Sequence, residues 1–389
     1  MIELTGYRRS NGKIGIRNHI LVLPTVVCAN SVVEALERVY GTSIVGIKHP
    51  YGCTFDTVSN EEIINTFTGL ALNPNVYAVL LVGLGCETVN INEIYDQAQN
   101  YGVRVEKVVI QENGGTKNTI EKARAIIDRF LLEVKALKRE PIDFGDLIVG
   151  TECGASDSYS GLTANPALGK TADLIIERGG TVFLTELTEF IGAEDILYEQ
   201  CADSSIALRL QKYLEITEND LARVGSAELR DISPGNIAGG LSTLEEKSLG
   251  CIKKGGSTLI QEVVGHGERP TKKGLVVMDA PGHDVESMIA MLAGGAQVIF
   301  FTTGRGSPTG TPLAPVIKVS SNSSVYNNLA DNIDVNAGTI VDGTETIEDV
   351  ANKMLDMLIE VVNGCESKSE KNFCREFAIR RRGVDACIL

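Results

Sequence analysis

Four cysteines, Cys28, Cys53, Cys86 and Cys153, each lie one to five residues beyond an apolar, β-rich run, in turns of Gly, Pro, Asn and Thr. Thiolates are soft ligands, and four of them at one crevice would suit iron, an iron–sulfur cluster or zinc. For any one of them the alternative is that Cys is a small, often buried hydrophobe. That alternative loses weight when all four share one setting. Cys201, Cys251, Cys365, Cys374 and Cys387 lack that setting and read as ordinary thiols.

Charged side chains gather at strand ends as well: Glu87, Glu152, Asp157, Glu186, Glu189, Asp279, Asp284, Arg305 and Lys318, with His49 and Lys247 in similar turn-like surroundings. About half of such a set is expected to be turn caps or solvated charges. Asp279 and Asp284 flank Ala280-Pro281-Gly282-His283, placing two carboxylates and an imidazole on one turn. Such a turn could hold a hard cation, shuttle a proton or simply stabilise itself. Among the histidines at 19, 49, 266 and 283, His49 and His283 follow strands and are the acid–base candidates.

Two nucleotide motifs fail on context. Ala164 to Thr171 fits a loose P-loop, but a polar stretch precedes it and Pro166 removes an amide that phosphate binding would need. Gly83-Leu84-Gly85 and Gly304-Arg305-Gly306 each follow a strand but lack the third glycine of a dinucleotide fingerprint.

The elements that must position these residues are legible from periodicity. HILVLPTVV, SIVGIKH, VYAVLLVGLG and DLIVGTE lead into the four cysteines, and GTVFLTE, GLVVMD, AQVIFFTT and PVIKVSS are four further strand candidates. A helix is expected from Asn30 as N-cap, and another over 118–140, where apolar residues recur every three or four positions. Pro141 ends that pattern and places a domain boundary near residue 142. Strands alternating with helices predict an α/β protein of two domains, 1–142 and 143–389. In mostly parallel sheets of this kind the ligand crevice lies at the carboxyl ends of the strands.

Composition narrows the partners. Lys and Arg total 36 against 51 Asp and Glu, a formal charge of −15, which opposes attraction to nucleic acid or an anionic membrane surface. No apolar stretch approaches the roughly 18 residues needed to span a bilayer, and the start lacks the apolar core of a signal peptide, so the cytoplasm is expected. Nine cysteines without an export signal argue for reduced thiols.

GYRRSNGKIGIRNHILVLPTVVCAN, GLGCE, CGASDSYSGLTANPALG, GGTVFLTELTEFIGAED, SPGNIAGGLSTLEEKSLG, MDAPGHD and FFTTGRGSPTGTPLAPVIKVSSN occur together and in order. They resemble the altronate and galactarate dehydratase family over most of the chain, from Gly6 to about Asn372. The resemblance implies a hydro-lyase acting on a sugar acid, with iron as Fe2+ or a cluster, or else a related carbon–sulfur lyase releasing sulfite from sulfolactate. It implies a dimerising α/β domain followed by a Rossmann-like catalytic domain, a homodimer, and a separate small β-clip subunit, because the GYxR element begins at Gly6. A binding subunit whose partner carries the chemistry is the reading from another class. On this scheme Cys28, Cys86 and Cys153 are ligands of iron with Cys53 as a fourth. Lys247 and Arg305 bind carboxylate, His49 is the first choice of base and His283 the second, and Asp157, Glu186 and Glu189 orient hydroxyls or bind a hard cation. The ending FAIRRRGVDACIL, and His283 where an aromatic is more usual, depart from the altronate enzymes.

Overall fold

The computed structural model describes residues 3–53, 57–223 and 232–380. A four-stranded parallel sheet runs Val45–Gly46, His19–Pro24, Val76–Gly83, Arg104–Val109 in spatial order. Successive side chains on a strand point to opposite faces, and in a parallel sheet both faces are covered. Thus Ile20, Val22, Leu80 and Val82 pack under the helices Asn30–Tyr40 and Thr116–Lys135, while Leu21, Leu23, Val79 and Leu81 pack under Thr57–Ala71 and Ile91–Asn100.

A seven-stranded parallel sheet follows, in the order Ile260–Val264, Gly274–Met278, Thr181–Leu184, Ile148–Gly154, Val298–Thr303, Val316–Ser320, Val335–Asn336. The chain leaves Ile148–Gly154 on one side and later returns on the other, which makes the carboxyl end of that strand a topological switch point. The helices Ala164–Glu177 and Ile347–Val362 cover one face, and Asp284–Ala293 covers the other. Two α/β sheets are what the strand and helix periodicities predict, and the Rossmann-like second one is what the family resemblance implies.

The two sheets share a core through the helices Thr57–Ala71 and Asp284–Ala293. Gly69 makes this possible, since a Cβ there would stand 2.6 Å from Ala293 Cβ. Asn73 Nδ2 donates across the seam to Leu292 O and Ala296 O at 2.8 and 2.9 Å.

Several elements differ from expectation. A three-stranded antiparallel sheet pairs Leu4–Arg8 with Ile14–Gly15 and with Glu140–Ile142. The expected helix over 118–140 runs from Thr116 to Lys135, because residues 140–142 are drawn into that sheet. Arg104–Val109 carries alternating charges that hide its strand character; it is an edge strand whose Arg104 and Glu106 pair with each other at 3.1 Å. Asn30 is the first residue of its helix and not the cap, its amide donating instead to His49 O at 2.9 Å. The P-loop-like stretch lies inside the helix Ala164–Glu177, so it forms no phosphate loop. No described helix is long and apolar enough to cross a membrane.

Candidate active site

The switch point opens into a cavity of about 550 Å³. Its floor is Cys153, Gly154 and Ala155, the end of the strand Ile148–Gly154 and the residue after it, and its walls bring in Glu189, Lys247, Asp284 and Arg305. Backbone strain marks the same place. Ala155 has φ 51° and Glu186 has φ 73°, left-handed conformations that cost a non-glycine residue about 1–3 kcal/mol.

Beneath the floor lies a buried polar centre. Lys254, fully buried, donates from Nζ to Cys153 Sγ at 2.9 Å and to Cys251 Sγ at 3.1 Å, and forms an ion pair with Glu186. Burial alone would discharge an ammonium, but the surrounding Cys153, Cys251 and Glu186 outweigh it and raise the Lys254 pKa. Burial also lifts Glu186 to about 7. Hydrogen bonding with Cys251, and then burial, push the Cys153 thiol well above its usual range.

At the cavity wall Lys247 donates to Glu189 Oε1 at 2.5 Å, and this carboxylate keeps Lys247 protonated against its burial. Arg305 donates to Gly235 O at 2.8 Å and has no carboxylate within ion-pair distance among the described residues. Asp284 opens the helix Asp284–Ala293; burial and then the Glu189 charge raise its pKa. A basic carboxylate, an unpaired guanidinium and a fixed ammonium therefore face one cavity. That set can bind a carboxylate and take a proton from the carbon beside it.

The structure brings Lys247, Arg305, Cys153, Glu189 and Asp284 together and leaves other candidates outside. His49 is buried against Phe67; its Nε2 bonds Pro24 O at 2.7 Å and its Nδ1 accepts from Tyr51 N at 3.1 Å. With both ring nitrogens engaged by backbone, it has no site left for a substrate proton, and burial lowers its pKa to about 4. His49 is a loop staple, and the base role moves off it. His283 is exposed beside the cavity-lining Gly282 and Asp284. Asp157 is saturated by Ser160 Oγ at 2.8 Å, Ser321 Oγ at 2.7 Å and Asn322 Nδ2 at 3.0 Å, which makes it a brace behind Gly304. Asp279 is held by Arg380, which also pairs with Glu62 and so ties the C-terminal segment to both α/β units.

The four cysteines do not form one ligand set. Cys153 stands in a group with Glu186, Glu189 and Cys251, whose ligand atoms lie within 4.8 Å of one another. Cys28, Cys53 and Cys86 are exposed on the carboxyl edge of the other sheet. Their turns are laced together: Val27 N donates to Tyr51 O at 2.9 Å, Thr88 N to Gly52 O at 3.1 Å, and Thr25 Oγ1 to Glu87 Oε1 at 2.7 Å. Cys251 and Lys254 were missed because they sit on and just past a short helix, Leu244–Cys251, far in sequence from any strand end; the spacing Cys-x-x-Lys was the one available signal. Cys387 lies outside the described residues.

Two family models match the chain. The family model for the C-terminal domain of D-galactarate/altronate dehydratase matches residues 144–385, and that for the second domain of D-galactarate dehydratase/altronate hydrolase matches residues 6–135. The chain belongs to the D-galactarate/altronate dehydratase family. Altronate dehydratase of Bacillus subtilis is 34% identical over 97% of this chain and 78% of its own length. Altronate dehydratase of Escherichia coli is 35% identical over 98% of this chain and 78% of its own length. The (2R)-sulfolactate sulfo-lyase subunit beta of Chromohalobacter salexigens is 34% identical over 97% of this chain and 96% of its own length. This member of the dehydratase family is a lyase. The iron that the resemblance implies can be tested against the buried group: two thiols and two carboxylates are suitable donors, but the Lys254 ammonium already bonds to three of the four residues. As arranged, the group is neutralised by lysine and does not fit a metal ion as well.

Proposed function

We propose that this chain removes water from a sugar acid to give a 2-keto-3-deoxy acid. The observation that carries the reading is the joint placement of Arg305, Lys247 and Asp284 in one cavity at the switch point. Arg305 receives the substrate carboxylate through its planar fork. Asp284, made more basic by burial, takes the proton from the adjoining carbon. Charge then moves onto the substrate carboxylate, where Arg305 and the Lys247 ammonium stabilise it. Lys247 gives a proton to the departing hydroxide, and the enol left behind tautomerises to the keto acid.

Iron is part of this reading as a cofactor of Cys28, Cys53 and Cys86, supported by three exposed thiols on adjoining turns of a residue type that is usually buried. Held by those three thiols, iron would supply Lewis-acid chemistry at that edge of the first sheet. A second, separate chain belongs to this reading, supported by the subunit name of the sulfo-lyase relative, while its small size and a homodimer of the present chain are what the family resemblance implies.

The test is anaerobic turnover of altronate, galactarate and sulfolactate, with keto-acid formation and sulfite release followed in parallel. Keto acid from a sugar acid, formed much more weakly by Arg305→Ala, supports the dehydratase. Sulfite alone favours the second reading, a carbon–sulfur lyase, which rests on equal identity to the sulfo-lyase subunit over 96% of that chain. No product from any of them, with the small chain added, overturns both.

A further inference from the structure

Lys318 is fully buried in the strand Val316–Ser320, and its Nζ has no hydrogen-bond partner among the described residues. A buried ammonium without a partner is costly, so its presence calls for a function. The sheet register shows where it points. Phe301 pairs with Lys318 on one side and with Glu152 on the other, and in-register residues of a parallel sheet share a face. Glu152, Phe301 and Lys318 thus form one row beneath the helix Asp284–Ala293, whose Ser287 Oγ donates to Glu152 at 2.6 Å. The Lys318 Nζ lies over the Phe301 ring, 3.3 Å from its centroid.

The row ends at the cavity floor. A Cβ on Gly154 would stand 2.2 Å from Asp284 Oδ2 and 2.6 Å from Phe301 Cζ, so glycine at this position lets the carboxylate and the ring approach the strand end. The Cys153–Lys254 centre projects from the same strand to the opposite face.

We propose that Lys318 is a positioning residue for the elimination, holding a proton behind the cavity so that its charge sets the ionisation of Asp284. This rests on the proposed role of Asp284 as base. The groups facing Lys318 are Asp284 from the helix, Glu152 from the sheet, Cys374 and Glu376 from the C-terminal segment, and Asp334 from the following loop. Asp284 itself also faces Glu189 and His283. Burial lowers Lys318 to about 7, and its charge in turn favours ionised Asp284. Below that pH the ammonium keeps Asp284 ready to accept a proton; above it the support is withdrawn.

Two variants separate this from a packing role. Lys318→Met removes the charge at similar volume, and Lys318→Arg keeps it at every working pH. Native mass and circular dichroism establish that each is folded. In protein carrying 13C at aspartate carboxyls, with Asp284 assigned by Asp284→Asn, the wild type is expected to show a second inflection near neutral pH. Lys318→Met is expected to raise the Asp284 midpoint by a unit or more, and Lys318→Arg to abolish the neutral inflection. On a turned-over substrate, Lys318→Met should lower kcat at least tenfold with little change in KM and shift the acid limb upward, while Lys318→Arg should carry the alkaline limb upward. An Asp284 titration identical in wild type and a folded variant overturns the proposal, whatever the substrate proves to be. Coupled titration without turnover of any sugar acid sinks the dehydratase reading and leaves the Lys318–Asp284 coupling standing.

Discussion

Lys254 Nζ lies 2.9 Å from Cys153 Sγ across 101 positions of sequence, and the same ammonium pairs with Glu186. A cation at the meeting point of two thiols and a carboxylate does for this buried centre what a metal ion would otherwise do.

Removing that cation leaves Glu186 without its ion-pair partner in the core, where burial, which already lifts its pKa to about 7, would force it to take up a proton. Lys254→Met is expected to lower stability by about 3–5 kcal/mol, the usual cost of breaking a buried pair, and adding Glu186→Gln should return part of it. Urea unfolding midpoints of the two variants decide the matter; equal midpoints for wild type and Lys254→Met would show that the ammonium is dispensable.

Arg305 has its hydrogen bond to a backbone carbonyl and its charge to spare. Hydrogen bonds to charged groups are worth about 1.5–3 kcal/mol, so Arg305→Ala should weaken substrate carboxylate binding roughly 10- to 100-fold. Arg305→Lys should recover part of the loss, since a point charge replaces a bidentate fork. Steady-state KM values provide the check, alongside a thermal midpoint expected to stay near that of the wild type.

Acid should destabilise the fold through His49. Its folded pKa of about 4 lies below the ordinary 6.5, so between these values the unfolded chain binds more protons and stability rises with pH. The contribution is complete above about pH 6.5 and is lost as pH falls towards 4, a difference of about 3 kcal/mol. His19, likewise lowered to about 4 by burial, adds a slope of the same sign. Urea unfolding at pH 5, 6 and 7 should show the slope, and His49→Gln should flatten it while lowering stability at pH 7.

Iron should follow one cysteine set and not the other. In protein purified without oxygen, Cys28→Ser, Cys53→Ser and Cys86→Ser are each expected to reduce iron and the visible absorption, whereas Cys251→Ser keeps them. Iron retained in all three and lost in Cys251→Ser would move the metal to the buried group and require Lys254 to swing away.

By itself the sequence determined the α/β class, eight of the strands and the failure of the P-loop, and it put Lys247, Arg305, Cys153 and the Asp284 turn among the candidate site residues. These follow from local periodicity and from residue types at strand ends, which one stretch of chain expresses alone. Tertiary structure decided which strand ends converge. Cys28, Cys53 and Cys86 share the motif of Cys153 but belong to a different sheet, and a strand-end setting carries no information about sheet membership. His49 likewise reads as an acid–base residue until the backbone of Pro24 and Tyr51 is seen to occupy both ring nitrogens. Cys251 and Lys254 joined the site only through folding, because the helix Leu244–Cys251 packs beneath a strand about 100 residues earlier in the chain. Long-range pairing is a property of the whole core, and no local pattern encodes it.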